Sequence, residues 1–273
     1  MLSDKQINAF DQDGYLILED WVSDTECEAL KNRMEKIIDN FSDEDLNRKS
    51  IFSTTSKDHQ SDQYFLESAD KVRLFYEKEA FSLDGTLAFP LGRAINKVGH
   101  ALHQLDPVFK NFSLQEKMQN LCRDLASHSN PYCIQSMYIF KQPKIGGEVV
   151  CHQDSTYIHS KSGRLLGMWV ALEDADRENG CLWGIPGKYF GEPKAKLIRE
   201  GSKLSMRYDD KLPFDEANLV PIEVKKGSML VFNGLFPHLS HENRSEYSRH
   251  AYTMHWIDGR GDLSPESWIA INL

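Results

Sequence analysis

His152, Asp154, His238 and Arg249 are the residues whose types and spacing could do chemistry in this chain. Two neutral imidazoles and a carboxylate make the 2-His-1-carboxylate set, which holds Fe(II) on one face and leaves positions open for O2 and a co-substrate. The set points to an oxygenase. The short motif His152-Gln153-Asp154 is weak alone, because ten His and 41 acidic residues give about 1.5 chance His-x-carboxylate pairs. The flanking sequence has to carry the reading. A dicarboxylate co-substrate chelating iron at one end needs a fixed cation at the other, and the guanidinium of Arg249 matches a carboxylate bidentately. The competing reading of Arg249, a rim residue in a surface ion pair, loses ground because of its spacing from His238.

The elements that must position these residues are short strands. Val149 to Asp154 follows the turn signal Gly146-Gly147, and in a strand residues i and i+2 share a face roughly 6–7 Å apart. His152 and Asp154 can then reach one ion. Lys226-Gly227 feeds the apolar run Ser228 to Phe232, and Asn233-Gly234 supplies a second turn before His238. Three other histidines compete for the third ligand position. If Arg249 points inward along the alternating run to His255, then His250 points outward and His255 lies about 20 Å along the strand. His241 sits in His-Glu-Asn-Arg, which reads as an exposed turn. His238 is the expected ligand, and His100, His103 and His159 are expected to be surface or packing histidines.

At 273 residues and 31.4 kDa the chain can bury a substantial core, and we expect one domain over 1–273. A net charge of −9 without a long basic run makes nucleic acid or an anionic membrane an unsuitable partner and favours a small molecule or a basic protein segment, of which a small-molecule substrate is expected. The five cysteines, odd in number and without C-x-x-C spacing, suit reduced thiols in a cytoplasmic protein. The N-terminus has no signal-like apolar core, and no membrane-spanning run is found. Oligomeric state is not legible.

Residues 4–12 read as a helix closed by Gly14, Tyr15 to Leu18 as a buried strand, and Ser23-Asp24-Thr25-Glu26 as a capping box opening a helix. Residues 42–63 turn polar and read as a solvated loop. Ala94 to Leu102 shows helical spacing, and Ser113 caps a further helix through Leu125. Residues 1–130 are therefore expected to be mostly helical support. After Asn130-Pro131 strands are expected at 132–141, 148–154, 164–174, 181–185, 219–224, 228–233 and 248–257. This pattern predicts a mainly β domain with flanking helices, a jelly-roll or cupin-like barrel whose core spans 131–260. The segment 188–216 has no clear period and reads as a loop that could act as a lid.

Gln135 to Pro143, Gly146-Gly147-Glu148, His152-Gln153-Asp154, Asn179 to Trp183 and Ile185-Pro186-Gly187 together resemble the phytanoyl-CoA dioxygenase family. Asp13 to Leu16, Asp70 to Arg73 and Ile95 to His103 extend the resemblance over nearly the whole chain. It implies a double-stranded β-helix and Fe(II)- and 2-oxoglutarate-dependent oxygenation with O2. By that resemblance iron falls on His152, Asp154 and His238, and the distal carboxylate of 2-oxoglutarate on Arg249 with Ser240 beside it. Lys97, Met137 and Trp169 match further co-substrate positions; read singly, they are a solvated lysine, core filling and a core aromatic. Small neighbours of Trp169 on its face, Gly167 and Ala171, leave room for a cavity. The family continues Ile-Pro-Gly with Ser-His, where this chain has Lys188-Tyr189.

Asp154 disfavours halogenation, since related halogenases lack this carboxylate to admit chloride. Two rivals from other classes are a non-catalytic sensor barrel, against which Arg249 weighs, and a zinc hydrolase, which the same ligands would suit. Nothing marks a basic pocket for CoA, so the primary substrate stays open.

Overall fold

The computed structural model describes residues 2–54, 63–200, 203–210 and 212–269. Parts of the expected loops at 42–63 and 188–216 thus lie outside the described residues. The chain opens with α1 (Asp4–Asp13) and α2 (Asp24–Ile38). Ser3 and Ser23 accept the N–H three residues on, and Gln6 and Glu26 reach back to the caps. Both helices therefore begin on the reciprocal pairing expected of a capping box. Gly14, at φ 78°, closes α1 by donating to the Phe10 carbonyl.

The strands in chain order are β1 (Tyr15–Leu18), β2 (Val72–Tyr76), β3 (Ile95–His100), β4 (Pro131–Ile139), β5 (Val149–His152), β6 (Leu166–Ala171), β7 (Leu182–Gly184), β8 (Ala195–Glu200), β9 (Lys203–Tyr208), β10 (Val220–Ile222), β11 (Met229–Asn233), β12 (His238–Ser240) and β13 (Ala251–Asp258). The larger sheet runs β1-β11-β6-β13-β4-β3-β2 and the smaller β10-β7-β12-β5, while β8 and β9 form a hairpin. The pairs are antiparallel. This is the expected jelly-roll, but with open sheet edges rather than a closed barrel.

The period of two decides what each face does. On β13, Tyr252, Met254 and Trp256 join the helix-side core with Leu30 and Met34 of α2 and with Phe109 and Leu121. Ala251, Thr253 and His255 fall on the opposite face, where Ala251 packs between the sheets and Thr253 and His255 line a cavity. On β6, Met168 and Val170 join the first set, and Trp169 and Ala171 pack with Leu182, Ile222 and Phe236 of the smaller-sheet side. The cavity therefore lies on the face of the larger sheet turned away from the helices.

Four expectations need correction. Ala94 to Leu102 is not a helix: β3 sits between β2 and β4 and buries five of its six residues. Burial on both faces mimics a helical stripe, and the ladders satisfy the backbone. Residues 1–130 are mostly helical, but they do more than support the sheet: β1 forms one edge of the larger sheet and β2, paired with β3, the other. Ser113 ends the helix Pro107–Ser113 instead of capping the next one, Glu116–Ala126; its hydroxyl lies 2.8 Å from the Tyr252 hydroxyl. The segment 188–216 contains the β8–β9 hairpin, whose adjacent Leu197 and Ile198 are both buried, so no alternation marks it.

Candidate metal centre

His152 is the last residue of β5 and His238 the first of β12, and the two are direct cross-strand partners. Each imidazole is fixed in the same way. Nδ1 of His152 lies 2.8 Å from the Val150 carbonyl, and Nδ1 of His238 lies 3.0 Å from the Phe236 carbonyl. A carbonyl only accepts, so each ring carries its proton on Nδ1 and presents the Nε2 lone pair. Burial, followed by the His152 imidazole, pushes His238 down to about 4, which keeps that ring neutral.

Asp154 opens a 3-10 turn immediately beyond β5. The intervening Gln153 anchors that turn: its amide donates to the Leu235 carbonyl at 2.6 Å and accepts from the Lys194 backbone at 2.9 Å. Asn233 caps the facing turn by accepting from the Leu235 N–H at 2.8 Å. Ligand-capable atoms of His152, Asp154 and His238 lie within 4.8 Å of one another. Burial alone would raise the Asp154 carboxyl, but His255, which hydrogen-bonds to it, and then His238 hold it well below the usual range. Two neutral imidazoles and one ionised carboxylate are the donor set that Fe(II) takes.

Arg249 is 2 % exposed. Its Nε donates to the Gly180 carbonyl at 3.0 Å and its Nη2 to the Ser240 hydroxyl at 3.2 Å, while the guanidinium lies over the Trp169 ring, 5.2 Å from its centroid. Nη1 has no partner, and no carboxylate forms a salt bridge with Arg249 among the described residues. A buried, unneutralised guanidinium with a free donor is a cradle for an anion. Burial lowers it to about 10, still charged at neutral pH.

Lys97, Met137, Trp169, Ser240 and Arg249 line one cavity with the three candidate ligands. The cavity measures about 200 Å³. The Lys97 ammonium lies 3.3 Å from the Phe52 ring centroid and 3.9 Å from the Met137 sulfur, and burial lowers it to about 7. Gly167 leaves no void beside Trp169, because the Phe232 ring fills the space a Cβ would need.

The rival histidines separate cleanly. His241 is exposed and stands edge-on to Trp183, and His250 turns away to the Tyr138 hydroxyl at 2.9 Å. His103 and His159 are buried and bond to Ser136 and to the Thr156 carbonyl. His100, bonded to Ser68, lines the cavity. His255, set aside for its distance from Arg249, touches Asp154: Nε2 lies 2.9 Å from Oδ2. The cavity runs along β13, so a residue far from Arg249 can still face it. Also unforeseen are Gly180, whose carbonyl orients both Arg249 and Ser240, and Lys141, which ties the Gly147 and Ser240 carbonyls together. Tyr189, at the departure after Ile-Pro-Gly, bonds the Ile185 carbonyl and packs on Phe236 and Gly14, so it does not line the cavity.

The family model described as phytanoyl-CoA dioxygenase (PhyH) matches residues 10–251. A phytanoyl-CoA dioxygenase of Arabidopsis thaliana is 41% identical over 270 residues, 98% of this chain and 93% of the relative. The phytanoyl-CoA dioxygenase domain-containing protein 1 of Bos taurus is 41% identical over 277 residues, with 98% and 94% covered. Among solved structures, EctD from S. alaskensis with 2-oxoglutarate and 5-hydroxyectoine is similar with TM-score 0.60 and 19% identity, covering 93% of this chain and 76% of that one. The α-ketoglutarate-dependent carbocyclase SnoK gives TM-score 0.61 and 16% identity, with 93% and 84% covered. No helix among the described residues is long and apolar enough to cross a membrane. The chain belongs to the phytanoyl-CoA dioxygenase family and is an oxidoreductase.

Proposed function

We propose that this chain is a single-domain Fe(II)- and 2-oxoglutarate-dependent dioxygenase that hydroxylates a small organic molecule. The reaction converts R–H, O2 and 2-oxoglutarate to R–OH, succinate and CO2, with one oxygen atom entering the substrate and the other succinate. The observation that carries the reading is the unneutralised Arg249 guanidinium, buried in the same cavity as the His152, Asp154 and His238 side chains.

His152, Asp154 and His238 would hold the iron, which when bound supplies the redox chemistry that activates O2 at the expense of 2-oxoglutarate. The chain's own groups bind and orient. Arg249 and Ser240 anchor the distal carboxylate, Trp169 offers its ring face to the guanidinium, and Lys97 and Met137 close the side of the co-substrate subsite. The buried walls keep bulk water from the reacting centre.

The test is succinate formed from 2-oxoglutarate by Fe(II)-loaded protein, compared with His152→Ala and Asp154→Ala. Loss of succinate in both variants is expected. Equal background rates in all three proteins would end the enzyme reading and favour a binding module. Zinc rather than iron held after anaerobic purification, with no succinate formed, would favour a hydrolase.

A further inference from the structure

The cavity has two chemically different ends. Arg249, two residues before β13, and His255 on it are separated by roughly 20 Å of extended chain, and His255 is the one that touches Asp154. Opposite His255 on β4 stands Gln135, on the same inward face as Met137 and Ile139. Gln135 is only 5 % exposed and lines the cavity. Its carboxamide nevertheless makes no hydrogen bond to a described residue. The carboxamide faces the cavity with its donors and acceptor unused by the protein, so it can pair with a ligand group there. The walls around this end are apolar: Phe65, Ile158, Leu197 and Trp268 line the cavity and belong to one hydrophobic cluster.

Among the described residues, the charged side chains at the cavity are Lys97, Lys141, Arg249 and Asp154. Under the function proposed above, on which this inference rests, each is committed: Asp154 to the metal, Arg249 and Lys97 to the dicarboxylate co-substrate. Lys141 is held by the Gly147 and Ser240 carbonyls. Lys97 borders this end, 5.5 Å from the Phe65 ring centroid, but is taken by the co-substrate. Among the described residues no further charge stands at the Gln135 end, and a charge moved there would lose its hydration without a counter-ion.

We propose that the Gln135 end is the primary-substrate subsite, and that it takes an uncharged, mainly apolar small molecule whose amide, carbonyl or hydroxyl group pairs with the Gln135 carboxamide. An amide probe can satisfy both the donor and the acceptor of Gln135, and a hydrocarbon ring suits the aromatic and aliphatic walls.

The test uses full-length protein loaded with Fe(II) and 2-oxoglutarate under argon, with cyclohexanecarboxamide, cyclohexanecarboxylate and cyclohexylmethylammonium as matched probes read by ligand-observed NMR. The amide is expected to bind about tenfold tighter than either charged probe. Gln135→Leu is expected to weaken amide binding about tenfold while leaving 2-oxoglutarate affinity unchanged. Gln135→Glu, of the same size, is expected to shift preference to the ammonium probe. Binding of a charged probe as tight as the amide, amide affinity unaltered in Gln135→Leu, or no amide binding at millimolar concentration would each overturn the assignment. The probe series is repeated without metal and co-substrate, and succinate formation is followed separately. A failure of the dioxygenase reading therefore appears as absent succinate, and a failure of the subsite as absent discrimination among probes.

Discussion

The His255 imidazole donates from Nε2 to the Oδ2 oxygen of Asp154 at 2.9 Å, while the other carboxylate oxygen, Oδ1, faces Nε2 of His152 at 3.5 Å and of His238 at 3.9 Å. An ionised carboxylate only accepts, so the imidazole must be the donor. The bond occupies one carboxylate oxygen and leaves the other turned toward the two candidate ligands. His255→Leu is expected to lower iron affinity about 10–100-fold, with His255→Gln, which keeps a donor, falling less. Metal titration under argon checks this; an unchanged affinity in His255→Leu would show that Asp154 is held by other means.

At the opposite end, Arg249→Lys keeps the charge but loses the planar fork and the stack on Trp169. The 2-oxoglutarate KM should rise roughly tenfold to a hundredfold, as expected for losing hydrogen bonds to a charged group. Iron affinity should stay the same. Parallel titrations of metal and co-substrate separate the two effects.

Lys97 makes stability depend on pH. Burial lowers its folded-state value to about 7 from the ordinary 10.5, so between those limits the unfolded chain binds more protons, and stability rises with pH. The destabilisation is full below pH 7 and is relieved as pH climbs toward 10.5. Lys97→Met removes the titration. Denaturant unfolding of both proteins, without metal or co-substrate, should show the wild type gaining on the variant across this window; parallel curves would sink the idea.

Gly180 adopts φ +85°, and a Cβ there would stand 2.8 Å from the His241 carbonyl oxygen. Gly180→Ala should cost roughly 1–3 kcal/mol of stability, measured by chemical denaturation. Because the Gly180 carbonyl accepts from both Arg249 and Ser240, 2-oxoglutarate affinity should fall in the same variant at temperatures where it is still folded. Retained affinity would mean that Ser240 and Trp169 suffice to orient Arg249.

The jelly-roll was legible because most of its strands carry local signals: Gly146-Gly147 before β5, Asn233-Gly234 before β12, and a clean alternation along β13. His152 and His238 were legible because they sit at the ends of short strands, Asp154 because it lies two residues beyond His152 in the same segment, and Arg249 through its spacing from His238. β3 was misread because a strand covered on both faces shows no period of two, and its Gly99 gave too little signal to reject a helix. His255 was missed by measuring its distance from the Arg249 backbone. The relevant distance was to Asp154, which reaches the larger sheet from the smaller one. Gln135 and Lys97 gave no local signal at all, because a polar side chain aimed into a cavity looks in sequence like one aimed at water.

The carbonyls that set the tautomers of His152 and His238 each belong to a residue two positions earlier in the chain. Each ring is therefore primed by its own segment, and the one long-range event required is the alignment of β5 with β12. A slip of one residue in that alignment would send one imidazole to the far side of the sheet. Capacity to take up metal thus reports whether these two short strands have met in the correct frame, and a half-assembled chain would not capture an ion at this place.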